Sequence, residues 1–215
     1  MSQARTTRQV TSNRARRQAA EATARRRRRW GFGGAGLAVL VVAGVILGLH
    51  YANRPATTST TASAAAPATG QVAPAGTFTT LAGRNVNVAS LRGQPTLVWF
   101  VSTWCSSCQA GTQTMAQNLA KLHADGVRVE EVELYADLGQ SGPSMGAFAR
   151  ALAGPQYGNP AWTFGVSSAA LTRTYDPQSY LDIYYLLNAK GQISYVNSSP
   201  GSTMPQLLAA AGKLA

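Results

Sequence analysis

The chain is poor in the side chains that hold metals. It has two cysteines and two histidines among 215 residues. A structural zinc site takes four ligands, commonly from Cys and His. His50 ends an apolar segment, His123 falls on an expected helix, and neither has a partner histidine nearby. No metal site is therefore expected, and no bound cofactor either, since a cysteine pair can itself carry two electrons. Two cysteines allow one disulfide.

Acidic residues are scarce too: eight Asp and Glu stand against nineteen Lys and Arg, for a net charge of +11. The excess is local. Residues 1–30 carry ten Arg and one Glu, whereas residues 76–215 carry eight basic and seven acidic side chains. The basic character belongs to the N-terminal tail. It has no aromatic interleaving and no base-reading motif, so nucleic acid is not an expected partner. No internal repeat is visible.

Charge is absent altogether from Gly31 to Leu49. Trp30 and Tyr51 bracket that stretch, and Arg25–Arg29 abuts it. The length suffices for one membrane-spanning helix over 30–51. The arginines place the tail (1–29) in the cytoplasm and the remainder outside it, with the aromatics at the interfaces and the lipid bilayer as a partner. The alternative is a cleaved signal peptide. Its cleavage site, Ala62-Ser63-Ala64, would lie far beyond the apolar core. No Leu-x-x-Cys is present for lipid attachment. Residues 52–75, rich in Ala, Thr, Ser and Pro, read as a flexible stalk. The domain is expected over 76–215.

That domain is organised around Thr96–Cys108. Thr96–Val101 is an apolar run of β-branched and aromatic residues, the pattern of a strand buried on both faces. Ser102 and Thr103 break it, Trp104 follows, and then come Cys105-Ser106-Ser107-Cys108. From Gln109, Met115, Leu119 and Leu122 recur at helical spacing. Both cysteines thus sit where a strand ends and a helix begins. Unpaired N–H groups and the helix dipole favour negative charge there, and the thiolate is the reactive form of cysteine. Cys105 is the candidate nucleophile. Cys108, one turn later on the same face, can resolve a mixed disulfide formed at Cys105.

Elsewhere the pattern predicts a hairpin over Thr77–Leu81 and Asn85–Val88, then the helix Gln109–Ala124 and a strand over Val127–Tyr135. Ser144–Ala153 reads as a helix, Trp162–Val166 as a short extended piece and Ser168–Tyr175 as helical. A second hairpin, Ile183–Leu187 with Ile193–Asn197, turns on Asn188-Ala189-Lys190-Gly191, and Met204–Leu214 closes as a helix. The class is α/β, with a central mixed sheet flanked by helices. The strands on either side of the cysteine helix should pair in parallel.

Strand Thr96–Val101, the Trp104-Cys105-Ser106-Ser107-Cys108 motif and the helix after it resemble the thioredoxin superfamily. Phe78–Val88 and Ser90-Leu91-Arg92-Gly93-Gln94-Pro95 resemble the opening hairpin and approach segment of its membrane-tethered branch, the TlpA, ResA and cytochrome c maturation kind. The resemblance spans residues 76–215. It implies a thioredoxin-like fold and thiol–disulfide exchange with protein thiols and disulfides. It also implies a membrane electron donor or oxidase as partner. The reductase direction is expected from resemblance; oxidase or isomerase remains open. Trp104, Ser106 and Ser107 are expected to contact substrate.

The sequence departs from that family in two places. The position that the family fills with a cis-proline falls at Asp182, and Pro177 comes five residues too early; the Leu181–Asp182 bond is expected to be trans. The family's acidic positions fall at Trp99 and Gly111, neither of which can take up a proton. Asp182 is therefore a candidate base for the resolving thiol, with a solvated loop carboxylate as the alternative. Glu130, Glu131 and Glu133 read as solvated strand and edge residues, and Tyr175, Tyr180, Tyr184 and Tyr185 as packing or groove residues. These departures keep open a second class of function, a redox-inert binding domain with a structural disulfide. Copper delivery would want a longer cysteine spacing and a distant histidine.

Overall fold

The structure, a computed structural model, describes residues 65–215. The arginine-rich tail, the expected anchor at 30–51 and the stalk up to residue 64 lie outside the described residues. Among the described residues no helix is long and apolar enough to cross a membrane.

The sheet is built outward from its most apolar strand. All six residues of β3 (Thr96–Val101) are buried. Leu97, Trp99 and Val101 enter one core, and Val98 and Phe100 enter the other, as strand alternation requires. Helix α1 (Ser106–Ala124) crosses over to β4 (Arg128–Glu133), which pairs with β3 in parallel. On the far side of β4 lies the parallel strand β5 (Trp162–Ser167). Antiparallel β6 (Ile183–Leu187) and β7 (Ile193–Ser198) extend the sheet past β3. β1 (Thr77–Thr80) and β2 (Asn85–Asn87) form the first hairpin, and β1 docks antiparallel on β5. The order is β2-β1-β5-β4-β3-β6-β7.

Helices cover both faces. Met115, Leu119 and Leu122 of α1 pack in the first core with Phe148 and Ala149 of α2 (Met145–Ala153) and Met204 and Leu207 of α4 (Pro200–Ala211). The second core takes Leu171 and Tyr175 from α3 (Ala169–Tyr175). The predicted α/β class and the parallel pairing through the cysteine helix are both present.

Three expectations need correction. The closing helix starts at Pro200 rather than Met204, because proline's fixed φ suits the first helical position. Residues 70–73, assigned to the stalk, belong to the fold. Val72 bridges to Gln192, Gly70 N–H donates to Ile193 O at 2.8 Å, and Ala73 is buried. Finally, Glu130 and Glu131 are not solvated; they are 2 % and 0 % exposed. β4 is an interior strand with partners on both sides, so neither residue lies on an edge.

Candidate functional site

β3 delivers the chain to the mouth of the sheet, and α1 begins at once. Cys105 is the N-cap of α1, in extended conformation, and its Sγ accepts the Cys108 N–H at 3.3 Å. The Ser107 hydroxyl stands 3.1 Å from the same sulfur. A residue whose side chain takes up one of the orphan N–H groups is what a helix start requires, and here that acceptor is sulfur. Ser106 and Ser107 are exposed.

Cys108, one turn on, is wholly buried, and its Sγ accepts the Ser102 N–H at 3.5 Å. Both cysteines are free thiols. Burial, and after it the charge of Asp182, pushes the Cys108 thiol far above the ordinary cysteine range; the Ser102 N–H opposes this. Cys105 retains a 6 % opening to solvent, and Trp104 beside it is 39 % exposed.

Asp182 is not a solvated loop carboxylate. It is 2 % exposed, and Oδ1 accepts the Trp99 indole N–H at 2.9 Å, while Oδ2 has no partner. Burial raises its pKa, with Ser107, Trp99 and Ser199 pulling the other way. It lies at the end of a loop in which Ser179, Leu181 and Asp182 have φ of 55°, 59° and 53°. L-residues in this left-handed region cost about 1–2 kcal/mol each. The buried Asp176 carboxylate holds the loop by accepting the N–H groups of Tyr180 (2.7 Å) and Leu181 (3.4 Å), and Ser199 N–H donates to Asp182 O at 2.8 Å. The peptide bonds of the described residues are all trans.

A second buried acid lies under the motif. Glu131 shares its face of β4 with Val129 and packs towards α1, where Thr112 Oγ1 donates to Oε1 at 2.7 Å. The same hydroxyl lies 2.9 Å from Cys108 O. Burial pushes Glu131 up to about 8; Thr112 opposes this and the charge of Asp182 adds to it. Sequence reading missed this residue, although strand alternation puts it on the cysteine side once β4 is interior. Gly111 fits the same packing, since a Cβ there would stand 2.7 Å from Trp99 Cζ2. Glu130 faces the other way and pairs with Arg128 at 3.1 Å. Of the four tyrosines, Tyr175, Tyr184 and Tyr185 are core residues, whereas Tyr180 is 67 % exposed.

Among the described residues no group of three or more His, Cys, Asp or Glu side chains is arranged to hold a metal.

A model of the AhpC/TSA family matches residues 69–141, from the bridging segment through the cysteine motif to the end of the turn after β4. Among curated proteins there is no match. Solved structures do resemble this one. A peroxiredoxin-like protein from Aquifex aeolicus superposes with a TM-score of 0.54 at 14 % identity, covering 71 % of this chain and 91 % of that one. A thioredoxin-like protein from Aeropyrum pernix gives 0.50 at 16 % identity, covering 65 % of this chain and 89 % of that one. At these identities the likeness is one of fold. With the strand order, the crossover helix and the cysteines at its start, it gives residues 65–215 a thioredoxin-like fold.

Proposed function

We propose that this chain is a thiol–disulfide oxidoreductase acting on protein disulfides, held outside the cytoplasm by the segment at 30–51. The observation that carries the reading is the contrast between the two sulfurs. Cys105 caps a helix, accepts the Cys108 N–H and keeps a small opening to solvent, whereas Cys108 is wholly buried and within reach of the charge of Asp182.

In the reducing direction the Cys105 thiolate attacks one sulfur of a substrate disulfide. A mixed disulfide forms and the other substrate sulfur leaves as a thiolate, which takes a proton from solvent. Cys108 then gives its proton to the Asp182 carboxylate and attacks Cys105 Sγ. The second substrate thiolate leaves, and the Cys105–Cys108 disulfide retains the oxidation. Two electrons have passed to the substrate. A dithiol donor, here a membrane electron carrier, returns the pair to its reduced form. A thiol that stays protonated until a base acts holds back the second attack until the mixed disulfide has formed at Cys105. Trp104, Ser106 and Ser107 border Cys105 on the exposed side and supply the substrate contacts; Tyr180 adds an apolar side chain on the Asp182 loop.

Cys108→Ser tests this reading. It leaves the mixed disulfide no resolving thiol, so partner proteins should accumulate on Cys105 and be released by reductant. Cys105→Ser should capture none. If Cys108→Ser also captures nothing while Cys105 remains reactive to iodoacetamide, the redox-inert reading takes over. Labelling of Cys105 in intact cells by a membrane-impermeant maleimide tests the location; labelling only after lysis contradicts it.

A further inference from the structure

The chain leaves β4 through a 3-10 turn, Tyr135–Gly139, in which Ala136, Asp137 and Leu138 have φ of 49°, 52° and 57°. Three successive non-glycine residues in the left-handed region persist only where their surroundings fix them. Tyr135 N–H is held by the Thr172 hydroxyl at 2.9 Å, and three further contacts lead to the two residues before Cys105. Asp137 Oδ1 accepts the Thr103 N–H at 2.8 Å, and Oδ2 accepts the Thr103 hydroxyl at 2.6 Å. Asp137's own carbonyl accepts the Trp104 indole N–H at 2.9 Å. Thr103 O receives Gln109 Nε2 at 3.4 Å. Gly142 closes the clamp from outside, since a Cβ there would overlap both Thr103 Oγ1 and Asp137 Oδ2.

This arrangement is more than a way of satisfying a turn. Asp137 is 6 % exposed, and the ion pair found among the described residues is Arg128–Glu130, so its carboxylate is matched by Thr103 rather than by a cation. A buried carboxylate is tolerated only when hydrogen-bonded. The left-handed backbone lets one residue present side chain and carbonyl to consecutive residues of another segment. Trp104 could be left to rotate freely at an exposed position, yet its indole N–H is tied down.

We propose that Asp137 is a positioning residue that fixes the Trp104 indole beside Cys105 and so determines which polypeptide disulfides reach that sulfur. It acts through Thr103 and Trp104, not on either sulfur. The inference rests on Cys105 being the nucleophile, and the test separates the two.

The test compares the full chain with Asp137→Ala, Trp104→Phe and the double variant. Two substrates are used, a disulfide-bonded protein and the small aromatic disulfide dithiobis(nitrobenzoate). Asp137→Ala should lower kcat/KM on the protein by about tenfold, chiefly through KM. The small disulfide, which needs no indole platform, should change by less than about twofold. The double variant should be no worse than Trp104→Phe alone, because Asp137→Ala acts by releasing the turn whose carbonyl holds the indole N–H, and Trp104→Phe has already removed that bond. Trp104 emission, taken as the difference between chains with and without Trp104→Phe, should shift in the Asp137→Ala background.

Equal losses on both substrates, independent addition of the two substitutions, or an unchanged Trp104 emission would each overturn the proposal. A wild-type chain inert to the small disulfide overturns the nucleophile reading instead, and the emission measurement still decides the clamp. Should Asp137→Ala not fold, Thr103→Val, which removes the hydroxyl and keeps the N–H, should show the same substrate split at smaller size, and equal loss on both substrates there counts against the proposal.

Discussion

Trp99 and Asp182 are joined by an indole-to-carboxylate hydrogen bond of 2.9 Å across 83 residues of chain. Trp99 occupies a position where the thioredoxin resemblance would place an acid. Asp182 occupies the position where it would place a cis-proline. The two departures therefore meet: the strand residue that cannot take up a proton donates its N–H to the loop residue that can.

Asp182→Asn makes two effects run in opposite directions. The charge of Asp182 raises the Cys108 pKa, so its removal should lower that pKa, with burial still keeping it above the ordinary value. If Asp182 also takes the Cys108 proton, the resolving step should slow even though the thiol has become more acidic. Thiolate absorbance against pH gives the first quantity, and decay of a preformed mixed disulfide gives the second. Faster decay would remove Asp182 from the mechanism.

Glu131 makes stability depend on pH. Burial holds its carboxyl at about 8 in the folded state, against an ordinary 4.5. The folded state therefore binds this proton more tightly than the unfolded chain does. Its stabilising contribution is complete below pH 4.5 and is lost as pH rises through about 8. Across that window wild type should lose about 1.4 kcal/mol per pH unit relative to Glu131→Gln. Denaturant midpoints measured through the window check this, and parallel pH profiles for the two chains would contradict it.

Gly111→Ala should destabilise the domain. The added Cβ would stand 2.7 Å from Trp99 Cζ2 and 3.1 Å from Pro200 Cγ, with rigid groups on both sides. Overpacking costs about 1–3 kcal/mol, against a gain of about 1 kcal/mol in helix propensity. Chemical denaturation should show a net loss, with a change in Trp99 emission as the indole shifts against Asp182. Unchanged stability and emission would mean that the helix moves freely at this point.

Much of this was legible in the sequence, for identifiable reasons. Thr96–Val101 is apolar at every position, so its burial on both faces could be read without a partner. The start of α1 was marked by the change from Ser102-Thr103 to helical spacing, and both cysteines fell where expected. What failed depended on neighbours. Glu130 and Glu131 looked solvated because charge usually marks an edge, and only the sheet order shows β4 to be interior. Nothing local in Tyr135–Gly139 signals a left-handed turn, since Ala136 and Leu138 are poor residues for it. The clamp exists because Thr103 lies opposite.

The boundary of the domain is a case of the same kind. Pro74 looks like stalk, yet its carbonyl accepts the Tyr175 hydroxyl at 2.7 Å, and Ile193 N–H donates to Gln71 O at 2.8 Å. A chain beginning at residue 76 should therefore unfold more easily than one beginning at residue 65. A deprived buried hydroxyl alone costs about 1–3 kcal/mol. Equal melting temperatures would return residues 70–75 to the stalk.

The most direct measurement is a redox titration of Cys105 and Cys108 in glutathione buffers, with alkylation and mass analysis at each point. The account predicts a reversible two-electron couple between about −270 and about −120 mV, with Cys105 alkylated first in the reduced chain. A fixed disulfide that resists reduction to below about −300 mV, or two thiols that stay unmodified in the folded chain, would contradict it.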